Sequence, residues 1–285
     1  MSNPRRCMFR KSGALAAAVL AGGLLCTGAA FCAEPLSAEA VSEPAMVEPQ
    51  REDLTFKLPE GQSIDVDNPY GSVFVRFGGY EHQFDVHVTL QQPDGATKID
   101  LAHAARDGRF RVAATLPEGI ALAEGQRMDL VIYVPQKHAV SVKTDGGSIE
   151  SRGVKSDLDL HTASGDIAVR GTDGAVQVST DDGRIEVQLK DPAPAGSTQK
   201  FVSRTGSITL GVSDDLAAEL QLSTSAQFAT DFSLQVEHFD GKEPNKRATT
   251  AIGTPKSGGQ VAKVVLESLV GEIRLLRRAV FVDSE

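Results

Sequence analysis

Apolar and polar residues alternate along most of the chain after about residue 53, in short runs separated by turns rich in Gly, Asp, Asn and Pro. A period of two places the apolar side chains on one face of a β-strand, and turn residues of these types end the strand. No stretch beyond residue 50 keeps a long helical period of about 3.6 residues. The pattern therefore predicts an all-β protein built from many short strands.

One short pattern recurs within these runs. Two alternating apolar residues are followed by Ser, Thr or Asn, two variable residues, Gly, and a second pair of alternating apolar residues. The copies that begin at Val140, Leu158 and Val176 follow one another at a constant interval. The glycines of the six copies are Gly71, Gly147, Gly165, Gly183, Gly206 and Gly271. A decayed seventh copy has Gln227 where the glycine is expected.

The repeat predicts the architecture. A single copy cannot bury its apolar face, whereas copies stacked about 4.8 Å apart pair their backbones and share a continuous core. We therefore expect a repeat-built parallel β-helix or β-solenoid-like prism. The alternative is a large antiparallel β-sandwich, in which the pattern is a recurring hairpin. Residues 237–260 are polar, rich in Gly and Pro and without a period, which predicts a long loop outside the stack.

The residues between the two half-strands of each copy predict a tight turn. Glycine is expected to adopt a positive φ there, which costs it little. The hydroxyl or amide three residues before the glycine is expected to cap the turn backbone or to bond along the stack. These capping residues are Asn68, Thr144, Thr162, Thr180, Ser203, Ser268 and, in the seventh copy, Thr224. Both sets are predicted to be structural.

Segment 1–33 has the pattern of a secretory signal peptide. Four basic residues precede an apolar stretch at 13–30, and small residues follow it. The alternative is an uncleaved membrane anchor, because the apolar stretch almost reaches the length of a membrane span. We predict a signal peptide at 1–33, a disordered spacer rich in Pro, Glu and Ala at 34–50, and a β-strand-repeat domain at 51–282. The protein is expected to be periplasmic, cell-surface or secreted, without stable membrane insertion after cleavage.

Composition excludes several classes of function. All three cysteines, Cys7, Cys26 and Cys32, lie in the predicted signal peptide, so the mature chain is expected to have no disulfide, no thiolate metal site and no cysteine nucleophile. Removing the four basic residues of that segment changes the formal charge from −9 to −13. Such an acidic chain repels nucleic acid, and we expect no nucleic-acid partner.

Few residues suggest chemistry. Acidic side chains in the turns, such as Asp166 and Asp182, could contribute to a Ca²⁺ site, but their positions shift between copies. The six histidines are scattered. A polysaccharide-acting β-helix enzyme would carry clustered acids or paired basic residues at repeat-equivalent positions, and we identify none. We therefore predict no catalytic residue, no metal and no cofactor.

The chain resembles the bacterial putative-adhesin family of β-strand-repeat envelope domains, a domain of unknown function. The resemblance lies in the run from "DLVIYVP" through "VSVKTDGGSIESRG", "LDLHTASGDIAVRG" and "VQVSTDDGRIEVQL". The typical Thr-x-x-Gly-Asp-Ile phrase is matched best at Thr162, Gly165, Asp166 and Ile167. The resemblance to the family covers roughly residues 53–280. Gln227 and the long polar loop depart from the family pattern. The resemblance implies an exported, right-handed β-helix-like domain without an established activity.

These observations predict an exported, non-enzymatic envelope protein that presents an adhesin-like binding or scaffolding surface. Its partner would be an envelope protein or a surface ligand. Two alternatives stay open. One is an accessory protein of envelope-stress signalling, and the other is a polysaccharide-acting β-helix enzyme.

Overall fold

The computed structural model describes residues 48–80, 82–189, 193–254 and 260–278. Across these ranges the chain forms strands, turns and loops, without a helix. Accordingly, none of the described segments is a helix long and apolar enough to cross a membrane. The predicted signal peptide and nearly all of the predicted spacer lie outside the described residues.

The described strands are short, most of them four to eight residues long. In chain order they are β1 (Gln50–Lys57), β2 (Ser63–Asp67), β3 (Val73–Phe77), β4 (Gln83–Gln91), β5 (Asp100–Arg106), β6 (Arg109–Thr115), β7 (Arg127–Val134), β8 (Val140–Thr144), β9 (Ile149–Arg152), β10 (Leu158–Ser164), β11 (Ile167–Arg170), β12 (Val176–Asp182), β13 (Ile185–Gln188), β14 (Thr198–Ser203), β15 (Ile208–Val212), β16 (Ala218–Thr224), β17 (Phe228–Thr230), β18 (Gln235–His238), β19 (Lys246–Ile252), β20 (Ala262–Ser268) and β21 (Ile273–Arg277).

The strands form two long sheets. Sheet 1 has ten strands in the order β1-β4-β7-β3-β9-β11-β13-β15-β21-β17, and sheet 2 has eleven in the order β18-β19-β16-β20-β14-β12-β10-β8-β2-β6-β5. Each copy of the repeat places its first strand in sheet 2 and its second in sheet 1, and we call such a pair a rung. Strands of successive rungs are parallel. The predicted β-solenoid-like fold is therefore confirmed, and the antiparallel sandwich is excluded.

The constant interval between the central copies determines the register. Leu158 of β10 pairs with Val176 on one side and Val140 on the other, so residues at equivalent positions of neighbouring repeats are neighbours in the sheet. Each position therefore forms a column along the stack. The inward columns, which include Leu160 and Ile167, are fully buried and join both sheets in one hydrophobic core. Burial of this apolar area is the main stabilising contribution.

Spatial order departs from chain order at the C-terminal part of the stack. The rung formed by β20 and β21 is the last in sequence, yet it lies between the β14–β15 rung and the β16–β17 rung. Both of its strands are parallel to those on either side. The final repeat is thus inserted into the stack instead of ending it.

The prediction of a long loop at residues 237–260 is wrong over part of that range. β18 extends to His238 and β19 runs from Lys246 to Ile252, and the two pair as an antiparallel hairpin at the edge of sheet 2. β19 also pairs with β16. Its alternation is hard to recognise because Ala248 and Thr250 occupy inward positions together with Ile252. Small or hydroxyl-bearing side chains at inward positions do not produce the alternation of apolar and polar residues by which a strand is recognised in sequence.

The opposite end of the stack is closed by antiparallel strands and aromatic rings. β4 pairs antiparallel with both β1 and β7, and β5 pairs antiparallel with β6. Phe56 of β1 contacts Phe110 of β6 and His103 of β5, with ring centroids 4.9 and 4.8 Å apart. Because β1 and β5 belong to different sheets, these rings cover the end of the core that a further rung would otherwise bury.

Candidate functional site

The predicted capping residues form a buried ladder at one corner of the stack. The Thr162 hydroxyl donates a hydrogen bond of 3.0 Å to the carbonyl oxygen of Gly147 in the preceding rung. Thr144 donates in the same way to Gly71 at 2.9 Å. Equivalent bonds run from Thr180 to Gly165, Ser203 to Gly183, Ser268 to Gly206 and Thr224 to Gly271. The hydroxyls therefore bond along the stack.

Several of these hydroxyls also cap their own turns: the Gly147 amide donates to Thr144 Oγ1 at 3.2 Å. The Gly206 and Gly271 amides donate to Ser203 and Ser268 at 2.9 Å. In the outermost copy of the repeat at the other end of the stack, the Asn68 amide replaces the hydroxyl and donates to the Met128 carbonyl at 2.8 Å.

The expectation of a positive φ at the turn glycines is wrong. None of the six has a φ in the left-handed region, and the positive-φ glycines of the repeat, Gly153 and Gly171, lie at the opposite corner. Glycine is required at the first corner for a different reason. An added Cβ on Gly165 would overlap the carbonyl oxygen of Gly147 in the rung beside it. The close approach of two backbones leaves no room for a side chain there.

The seventh copy does not replace its glycine with Gln227, because its turn is one residue shorter. The Ala226 amide, two residues after Thr224, donates to Thr224 Oγ1 at 2.9 Å. Phe228 then pairs with Ile273, so Gln227 lies opposite Glu272 and not opposite Gly271. Its carbonyl accepts the Ile273 amide at 3.2 Å. Gln227 is therefore not the equivalent of a turn glycine.

The acidic turn residues bond to neighbouring turns. Asp166 Oδ1 accepts the Arg184 amide at 2.7 Å, and Asp182 Oδ1 accepts the Thr205 hydroxyl at 2.8 Å. Within the described ranges, no three His, Cys, Asp or Glu side chains are grouped so that they could hold a metal ion. The roles that the structure gives to these carboxylates are therefore hydrogen bonds between turns.

The outer face of sheet 1 carries a column of three arginines. Arg76, Arg152 and Arg170 lie on adjacent strands, and the register pairs Arg76 with Arg152 and Arg152 with Arg170. Each follows the glycine of its copy by five residues. The expectation that no paired basic residues occupy repeat-equivalent positions is therefore wrong. The sequence contains this signal, at a position beyond the last apolar residue of each copy.

Two carboxylates lie in the neighbouring outward column. Glu150 contacts both Arg76, with Oε2 3.5 Å from Nη2, and Arg152. Glu186 Oε1 is 3.5 Å from Arg170 Nη2. Between them, β11 has Ala168, which pairs in register with Glu150 on one side and Glu186 on the other. Three guanidinium groups thus meet two carboxylates. On β11, between the two glutamates, Ala168 stands where a third carboxylate would complete the column.

The arginine column, defined as Arg76, Arg152 and Arg170, continues into an aromatic residue. Tyr133 of β7 pairs in register with Arg76. The Arg76 guanidinium carbon is 5.7 Å from the ring centroid of Phe74. Phe77, the next residue of β3, points to the opposite face from Arg76 at the end of the strand, so it is not part of this surface. The aromatic residues beside the column on the outer face are therefore Phe74 and Tyr133.

Residues 50–268 match the family model described as Toastrack DUF4097. The chain belongs to this family. The match covers most of the chain and confirms the resemblance carried by the repeat. A toastrack domain is a domain of unknown function, so the family match identifies the fold and leaves the ligand open. No curated protein has a sequence that matches this one.

Three solved structures resemble this toastrack domain. A putative cell adhesion protein from Clostridium sporogenes ATCC 15579 is 13 % identical, with a TM-score of 0.49, over 81 % of this chain and all of that chain. A putative adhesin from Bacteroides fragilis NCTC 9343 is 11 % identical, with a TM-score of 0.40, over 79 % and 97 % of the two chains. A putative adhesin from Parabacteroides distasonis ATCC 8503 is 9 % identical, with a TM-score of 0.26, over 80 % and 97 %.

The toastrack domain also has open depressions on the outer face of sheet 2. One, of about 570 Å³, lies against the β18–β19 hairpin and is lined mostly by polar side chains, among them Gln221, Gln235 and Thr249. A second, of about 290 Å³, is lined by Asp65, Asp159 and Arg109 with neighbouring backbone. Neither combines an apolar floor with convergent polar groups, as small-molecule sites usually do.

Proposed function

We propose that this protein is a non-enzymatic binding or scaffolding protein of the bacterial cell envelope, and that it works through the outer faces of its sheets. The observation that carries the proposal is the register of the rungs. Because equivalent residues of neighbouring repeats pair directly, as Asp159 does with Gln177 and Ser141, each outward position forms a straight column. Each face is thus a regular array of side chains.

Such an array suits an extended ligand. Neighbouring strands lie about 4.8 Å apart, so one column offers successive contacts at a constant interval. The fully buried columns beneath it hold the backbone in place. A surface that is ordered before binding loses little conformational entropy when a ligand arrives, and this favours affinity. A long polymer or a partner protein can use several rungs at once.

The envelope location rests on segment 1–33, in which a basic, an apolar and a small-residue stretch follow one another. Removal of this segment would leave a domain without cysteine, held together by core burial and hydrogen bonds and not by disulfides. Fractionation followed by mass spectrometry of the N-terminus tests this part. A new N-terminus near residue 34 in the envelope fraction is expected, and an intact Met1 in the cytoplasmic fraction would contradict it.

The binding part is tested by sedimenting the mature protein with isolated cell envelopes. Two double variants reverse charge on opposite faces. Arg152→Glu with Arg170→Glu changes sheet 1, and Lys143→Glu with Lys200→Glu changes the exposed surface of sheet 2. We expect saturable sedimentation that one of the two variants weakens. Equal sedimentation of both variants and the wild type, or turnover of an envelope polysaccharide by the protein, would contradict the proposal.

A further inference from the structure

We propose that the arginine column binds an extended anionic glycan, whose carboxylate groups meet successive arginines along the stack. The inference rests on the proposed binding function and names its face and its ligand class. It starts from the placement of Arg76, Arg152 and Arg170 on three adjacent strands. Like charges directly opposite each other in a sheet are destabilising, so a column of cations is not what stability alone favours.

The counter-charges in the column are incomplete. Glu150 lies between Arg76 and Arg152, and Glu186 contacts Arg170 from the far side. The position between these two glutamates is Ala168, which supplies no charge beside Arg152 and Arg170. A carboxylate from a ligand would supply there the charge that this side chain lacks. The three arginines outnumber the two carboxylates that contact them, so the column has a local excess of positive charge on a chain whose formal charge is −9.

The arginine side chains are accessible enough to bind. Those of Arg152 and Arg170 are 53 % and 42 % exposed, whereas that of Arg76 is 24 % exposed and donates to the Glu150 carbonyl at 3.2 Å. Guanidinium groups present a planar set of donors that matches a carboxylate and forms two parallel hydrogen bonds with it. Arg152 and Arg170 are therefore the principal binding residues, and Arg76 continues the column.

The spacing of the column disfavours an extended acidic peptide. In an extended peptide, side chains on one face recur every second residue, about 6.8 Å apart, which does not match a strand spacing of about 4.8 Å. A polyuronate carries a carboxylate on every sugar unit. Tyr133 follows Arg76 in the same outward column, so its ring can contact the apolar face of a sugar.

Binding of the mature protein to polygalacturonate tests the inference, with dextran as the neutral control polymer and polyglutamate as the acidic peptide. Arg152→Gln with Arg170→Gln removes two guanidinium groups and should weaken polygalacturonate binding by roughly ten-fold or more. Arg109→Gln with Arg111→Gln is the matched control, because these outward arginines on sheet 2 also pair with carboxylates, Asp65 and Asp67. The control should bind as the wild type does.

A second variant keeps every arginine. Ala168→Glu supplies the missing carboxylate between Glu150 and Glu186, and it should weaken binding as strongly as the double variant while a surface position keeps the fold intact. Urea midpoints equal to that of the wild type establish that both proteins are folded. Undiminished binding by the folded Ala168→Glu protein would overturn the inference.

The remaining outcomes separate the inference from the function on which it rests. No binding of the wild type to polygalacturonate, together with sedimentation on envelopes, overturns the glycan ligand and leaves the proposed function standing. If the wild type neither binds polygalacturonate nor sediments with envelopes, both the glycan ligand and the proposed binding function are overturned. Binding of polyglutamate as tight as that of polygalacturonate would assign the column to acidic proteins and overturn the choice of a glycan.

Discussion

Gly147 lies so close to Gly71 in the adjacent rung that a Cβ on Gly147 would overlap the Gly71 carbonyl oxygen. The obstacle is backbone that both sheets hold in place, so it cannot move aside as the end of a flexible side chain can. Its neighbour in sequence, Gly146, also has an ordinary φ but has open space where a Cβ would be. Substitution of Gly147 therefore tests the close approach of the two backbones, and the same substitution at Gly146 tests every other effect of replacing a glycine.

We expect Gly147→Ala to lower the free energy of unfolding by about 1–3 kcal/mol, as overpacking does in a well-packed interior. Gly146→Ala should be neutral or stabilising by up to about 1 kcal/mol, because alanine restricts the unfolded chain more than glycine does. Urea unfolding of both variants measures the difference. Equal midpoints would mean that the corner can open to admit a methyl group, and the explanation for the glycine column would fail.

The hydroxyl ladder leads to a second prediction. Thr162 is fully buried, and its hydroxyl satisfies the Gly147 carbonyl oxygen. Thr162→Val keeps the shape but leaves that carbonyl without its side-chain donor, which should cost about 1–3 kcal/mol in the free energy of unfolding. Thr162→Ser retains the hydroxyl and should recover most of the loss. If serine is no better than valine, the ladder contributes through packing and not through hydrogen bonds.

Much of the fold was predictable from the repeat because a constant spacing brings equivalent positions together. The interval from Gly147 to Gly165 is that of one rung, and the same interval pairs Arg152 with Arg170. The arginine column was therefore present in the sequence pattern. The apolar template does not reveal it, because Arg152 and Arg170 come after the last apolar position of their copies.

Other features were not predictable because they depend on contacts between distant parts of the chain. Nothing in the local pattern of β20 indicates that it inserts between β14 and β16, since any rung offers two equivalent edges. The role of the turn glycines depends on the backbone of another rung, so a single turn considered alone suggests a positive φ. β19 resembles a loop in sequence because Ala248 and Thr250 carry little hydrophobic signal.

The β18–β19 hairpin should contribute to stability through its inner strand. Ile252 is 4 % exposed and pairs with Ala218 of β16, whereas Val236 of the outer strand is 44 % exposed. Ile252→Ala should lower the free energy of unfolding by about 2–5 kcal/mol. Val236→Ala should change it by less than about 0.5 kcal/mol, as surface substitutions usually do. Urea unfolding compares the two, and a tolerant Ile252 would place the hairpin outside the cooperative core.

The turn next to the end of the stack should respond to pH through Glu272. The Arg274 guanidinium donates to Glu272 Oε2 at 2.6 Å and lowers the pKa of this carboxyl below its ordinary value of 4.5. Partial desolvation raises the pKa and so opposes this shift, whereas a hydrogen bond from the Gln227 amide lowers it further. A lowered pKa in the folded state means that the charged form favours folding. The contribution is complete above the unfolded pKa and is lost as the pH falls through the lowered folded pKa.

This pKa can be followed directly by the carboxyl carbon chemical shift of Glu272 in an acid titration. Arg274→Gln removes the strongest donor, so the midpoint should move up towards the ordinary value. Gln227→Ala should move it in the same direction by less, because its amide is neutral. Arg277→Gln, which removes an arginine that pairs with Asp214, is the control and should leave the midpoint unchanged. An equal shift in the control would mean that the general charge of this end of the stack, and not the Arg274 hydrogen bond, sets the pKa of Glu272.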